Sequence, residues 1–97
     1  MGRKPESKLQ DKCIEYLKRK RIYYINKYGD GRSGKGCPDL ITCINGKFVA
    51  FELKAGDNNL QDDQIIHKNR IIKSGGLHFS PYTIDDFINI VEGLYDK

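Results

Sequence analysis

The sequence predicts a single α/β domain over residues 1–97 with the element order α-β-β-β-α-β-α. Three observations predict it. Helix-period apolar stripes lie near both ends of the chain, β-branched and aromatic runs lie between them, and an Asn45-Gly46 pair separates two of those runs. With 97 residues and 38% hydrophobic side chains the chain can bury one core. A domain this small buries only roughly 60 to 65% of its unfolded surface, so pairing with a second copy would add stability.

Pro5 suits a first helical turn, and Leu9, Cys13, Ile14 and Leu17 recur at helical spacing up to about Lys20, giving the first helix. Ile22 to Tyr28 is β-branched and aromatic and reads as a strand. Residues 29–36 hold four glycines and read as a loop. Pro38 to Ile44 and Lys47 to Ala55 are expected to form a hairpin about Asn45-Gly46. Asn58 or Asn59 is the expected cap of a second helix over roughly 60 to 74, with Asp62 and Asp63 in its first turn and Gly75-Gly76 at its end. Leu77 to Ser80 reads as a short strand. Thr83 is expected to cap a last helix whose stripe is Ile84, Phe87, Ile88, Val91, Leu94 and Tyr95.

Charge narrows the function classes. Residues 1–54 carry 13 basic and 6 acidic side chains, residues 55–97 carry 4 and 7, and the whole chain is +4. A basic half, densest at Lys18-Arg19-Lys20-Arg21 and including Lys8 and Lys12, suits a polyanionic partner; a solvated helix face is the plainer explanation. No apolar run approaches the roughly 20 residues that span a bilayer, and no secretory signal is recognisable, so no membrane partner is expected. Three cysteines, an odd number, favour a reducing compartment and a cytoplasmic location. Cys13 is expected in the core and Cys43 inside the sheet.

The hairpin brings two carboxylates together. With Asn45-Gly46 as the turn, Ile44 pairs with Lys47 and Asp39 falls opposite Glu52, on one face. Lys54 joins that face one step further. Opposed like charges destabilise a sheet, so they require either a compensating cation such as Lys54, as an exposed ion pair at the sheet end, or a divalent metal. Glu6 continues the inward stripe of the first helix at its start and is the candidate third carboxylate, whereas Glu15 lies about 180° around and faces solvent. The segment Gly29 to Gly36 approximates a phosphate-binding loop. It has Gly36 where Ser or Thr is needed and is followed by a strand, so no nucleotide cofactor is expected. Arg32 and Lys35 read instead as a DNA-backbone clamp leading into Asp39.

Taken in order, Glu6-x-x-Leu9-Gln10, Gly36-Cys37-Pro38-Asp39-Leu40-Ile41, Phe51-Glu52-Leu53-Lys54, Gln64 and Gly75-Gly76 resemble the VRR-NUC family of the PD-(D/E)xK nuclease superfamily. The resemblance implies a restriction-endonuclease-like fold, a central mixed sheet flanked by helices, with cleavage of DNA that depends on a divalent metal. It implies Asp39, Glu52 and the Leu53 carbonyl as ligands of Mg²⁺, with Mn²⁺ able to substitute, and Lys54 as the residue that positions or activates water. Gln64 would stand beside the site and Glu6 would match the family's helix-one acid. From the charge distribution rather than the resemblance, Lys8, Lys12, Arg19, Arg32 and Lys35 are the expected DNA contacts. By its length the chain is similar to short stand-alone phage members, implying a homodimer acting on branched DNA such as a Holliday (four-way) junction, in the host cytoplasm if viral. A flap- or duplex-directed nuclease of the same fold, or a non-catalytic nucleic-acid-binding module, would account for the charge as well.

Overall fold

The computed structural model describes residues 5–26, 36–54 and 60–95, with the side chains of the first helix described from Lys8 onward. The elements are α1 (Pro5–Arg19), β1 (Tyr23–Asn26), β2 (Leu40–Ile44), β3 (Lys47–Phe51), α2 (Asp62–Lys73), β4 (Leu77–Phe79) and α3 (Ile84–Tyr95). Their order is the expected one. The strands form one sheet in the order β1-β2-β3-β4, antiparallel except for the parallel β3–β4 pair. The sheet is therefore mixed, and the crossover that makes β4 parallel is α2.

Asn45 and Gly46 both take positive φ, 53° and 80°, the backbone of a two-residue hairpin turn. Ile44 pairs with Lys47 and Leu40 with Phe51, the register that the turn predicts. The ladder stops there, short of the predicted strand limits at Pro38 and Ala55. Pro38 has no N–H to donate, and beyond Phe51 the chain keeps only its β4 side: Glu52 N donates to Phe79 O at 2.9 Å and Lys54 N to Pro81 O at 3.1 Å. On the β2 side a carboxylate replaces the ladder, with Leu53 N donating to Asp39 Oδ2 at 2.9 Å.

Alternation along β2 and β3 assigns the two faces. Leu40, Ile44, Val49, Phe51 and Leu53 bury themselves against Leu9, Cys13 and Leu17 of α1 and Phe87 and Val91 of α3. Burial pushes the Cys13 thiol up to about 12, so this cysteine is packing rather than a nucleophile. Tyr16 OH donates to Glu92 Oε2 at 2.7 Å and ties α1 to α3. Thr83 caps α3 as expected, its Oγ1 accepting from Asp86 N at 3.0 Å. The opposite face carries Ala50, Phe48 and His78 and is partly covered by α2.

Two expectations need correction. The N-cap of α2 is Gln61, with Gln64 Oε1 accepting from Gln61 N at 2.8 Å; Asn58 and Asn59 lie outside the described residues. Cys43 is exposed, because it sits on the α2 face where that helix does not reach. The end of α2 is as expected: Gly75 N bonds Ile72 O and Gly76 N bonds Ile71 O, a Schellman stop with Gly75 at φ 98°.

His78 is 8% exposed, and neither ring nitrogen has a hydrogen-bond partner among the described residues. Burial, reinforced by the Lys68 charge, lowers its pKa from 6.5 to about 4. Folding therefore favours the neutral ring. This contribution is fully present above pH 6.5 and is lost as pH falls from 6.5 towards 4, amounting to about 2 kcal/mol by pH 5. His78→Leu is expected to remove that slope and to leave stability at pH 7 equal or higher, read by urea unfolding at pH 5 and 7.

Candidate active site

Asp39, Glu52, Lys54 and Gln64 converge at the end of the sheet where β2 and β3 part. Glu52 and Lys54 are 4% and 6% exposed, an unusual depth for a carboxylate and an ammonium. Gln64 joins them. Its Nε2 donates to Glu52 Oε2 at 2.8 Å, and its Oε1 accepts from Lys54 Nζ at 3.0 Å as well as from Gln61 N. One amide thus holds an anion with its donor end and a cation with its acceptor end. Exchanging the amide's ends would put an N–H against the ammonium, so this network defines the orientation of Gln64.

Asp39 completes the group by a different route. Its side chain fixes Leu53 N, the backbone link between Glu52 and Lys54. The two acidic residues therefore lie at the same break in the ladder, just beyond the last pair, Leu40 and Phe51. They supply hard carboxylate oxygens, and Glu52 Oε1 is itself buried. Among the described residues no group of three or more His, Cys, Asp or Glu converges to hold a metal ion. That donor set fits Mg²⁺, which commonly takes one or two carboxylates and fills its octahedron with water and substrate phosphate. It does not fit a closed structural zinc site.

The other candidates are more dispersed. The backbone of Glu6 belongs to the first turn of α1, but its side chain lies outside the described residues, as do Arg32 and Lys35. Lys8, Lys12 and Arg19 are exposed on α1, which packs on the face of the sheet opposite Glu52 and Lys54. His67 stands one turn beyond Gln64 and approaches Cys37 Sγ at 3.9 Å, so both lie at the edge of the group.

Gly36 has a structural reason that its place in the motif does not reveal. It has φ +87°, and a Cβ there would lie 2.6 Å from the backbone carbon of Asp63, in the first turn of α2. The segment leading to Asp39 can approach the helix bearing Gln64 only without a side chain at this position. Gly36→Ala is expected to cost about 2 kcal/mol, a fall in Tm of roughly 10 °C, read by thermal unfolding.

No family model matches the sequence, and no curated protein matches it. Solved structures do. One described as "VRR_NUC domain" superposes with TM-score 0.79 at 20% identity, covering 96% of this chain and 100% of that one. Another, described as "VRR_NUC domain protein", gives TM-score 0.80 at 19% identity, covering 99% of this chain and 92% of the other. Along nearly its whole length, this chain has the fold of a VRR_NUC domain.

Proposed function

We propose that this chain is a Mg²⁺-dependent endodeoxyribonuclease that cuts branched DNA, four-way junctions above all, as a homodimer. The observation that carries the reading is the buried Glu52–Gln64–Lys54 network beside Asp39. Burying opposite charges costs several kcal/mol per ion before their attraction repays it, and an apolar strand end would fold as well. Such groups are retained where chemistry needs fixed charges.

Asp39, Glu52 and the Leu53 carbonyl would hold the cation. When bound, Mg²⁺ polarises the scissile phosphate and lowers the pKa of its water. Lys54 would place positive charge against the phosphate as its oxygens gain charge, with no reorganisation because Gln64 already fixes its ammonium. The same amide holds Glu52 through Oε2. Water oxygen would add to phosphorus, one P–O bond of the backbone would break, and the departing oxygen would take up a proton as the attacking water gives one to solvent. The basic half of the chain would bind the surrounding phosphates, making binding strongly salt-dependent. Two copies related by a two-fold axis would present two sites for paired cuts in a four-way junction.

The test is cleavage of labelled four-way junction, flap and linear duplex DNA with Mg²⁺ or with EDTA. Paired, Mg²⁺-dependent nicks in the junction are expected. Cutting confined to flaps or duplex would overturn the junction assignment, and binding with no cutting in Mg²⁺ would overturn the enzymatic one.

A further inference from the structure

Helix α2 is incompletely covered. None of its 12 residues is buried, although four of them are isoleucines. Asp63, Gln64, His67, Lys68 and Ile71 form the half-buried inner stripe, while Ile65, Ile66, Asn69 and Ile72 look outward with the three isoleucines 40 to 55% exposed. A three-turn helix is marginal in water and owes its stability to burying an apolar face. Beside it, the same face of the sheet exposes Tyr23, Ile25 and Phe48, each at least 47%. A groove of about 500 Å³ runs along the helix, lined by Phe48, Arg70 and Ser74 among others. Exposed apolar side chains gathered on one face in this way mark a contact with another macromolecule.

Charge selects the partner. The first turn of α2 exposes Asp62 and the last turn exposes Arg70 and Lys73. A second α2 laid antiparallel would bring each acidic end against a basic end, exchange Ile65 with Ile72 and place Asn69 near the two-fold axis. The surface is self-complementary in charge. A parallel neighbour would oppose like charges at both ends.

We infer that the outward face of α2 is the surface on which a second copy of this chain docks, with the two helices antiparallel and lying over the open sheet face of each other's subunit. The inference rests on the homodimer proposed above and specifies its surface. Gln64 lies on the inward side of the same helix, so docking would hold the Glu52 and Lys54 network in place as well.

The full chain is to be measured by sedimentation equilibrium up to the high-micromolar range. A dimer is expected. Ile66→Glu, on an exposed position that leaves the monomer fold intact by circular dichroism, is expected to raise the dimer Kd at least about 30-fold. Asp62→Lys should weaken the dimer, and adding Lys73→Asp should restore it. In a Cys43→Ser background, Asn69→Cys should form an intermolecular disulfide under mild oxidation, whereas Glu15→Cys on α1 should not. A monomer throughout the range would overturn the inference together with the homodimer. A dimer indifferent to Ile66→Glu and not cross-linked through Asn69→Cys would overturn the inference alone, since DNA cleavage is read separately.

Discussion

Asp39→Asn is expected to lower Mg²⁺-dependent cleavage at least about 10³-fold while leaving the protein folded. The asparagine amide oxygen can still accept from Leu53 N, so the tie that Asp39 Oδ2 makes at 2.9 Å survives the substitution. What is lost is the charge. Without it, one of two carboxylates at the ladder break no longer attracts a divalent cation, and Mn²⁺ affinity should fall with activity. Thermal unfolding, Mn²⁺ titration and single-turnover cleavage on one preparation would check all three parts.

Gln64→Leu is expected to damage both fold and chemistry. It removes the donor to Glu52 Oε2 and the acceptor from Lys54 Nζ, two bonds to charged groups that are almost wholly buried. Each such bond contributes roughly 1.5 to 3 kcal/mol, and the α2 cap at Gln61 N goes with them. A loss of about 3 kcal/mol is a large part of the stability of a domain this size. The rate should fall about 100-fold even at temperatures where the variant is folded, because Glu52 and Lys54 are no longer held in register. Urea unfolding and single-turnover kinetics read the two effects separately. Full activity in a destabilised variant would show that Gln64 supports the fold alone.

Much of this arrangement is legible in the sequence, and the reason is local. Asn45-Gly46 dictates a two-residue turn, the turn dictates a register that runs to Leu40 and Phe51, and Asp39 and Glu52 follow directly beyond that last pair. Thr83, Gly75 and Gly76 act through equally local backbone chemistry. The departures come from long-range partners. That Glu52 and Lys54 leave β2 but stay bonded to Phe79 O and Pro81 O depends on a parallel strand that returns some 25 residues later. Gln61 serves as the cap of α2 because Gln64 reaches back to its N–H as the glutamine of a capping box, while the same side chain is held by Glu52 and Lys54. Cys43 has the alternation of a covered strand residue, yet it is exposed because α2 is too narrow to cover the whole sheet. Gly36 was visible as a motif glycine, but its cause, a backbone 2.6 Å from where a Cβ would lie, belongs to the packing of α2.

On the proposed function, buried Lys54, fixed by Gln64 beside two carboxylates, serves phosphodiester hydrolysis. Lys54→Met keeps the length and apolar stem of the side chain and removes its charge. The decisive measurement is the single-turnover rate of four-way-junction cleavage by Lys54→Met and by the unaltered chain at saturating Mg²⁺ and saturating DNA. A fall of about 10³-fold with DNA affinity little changed is predicted. A rate equal to that of the unaltered chain, or cleavage that persists in EDTA, would contradict the account.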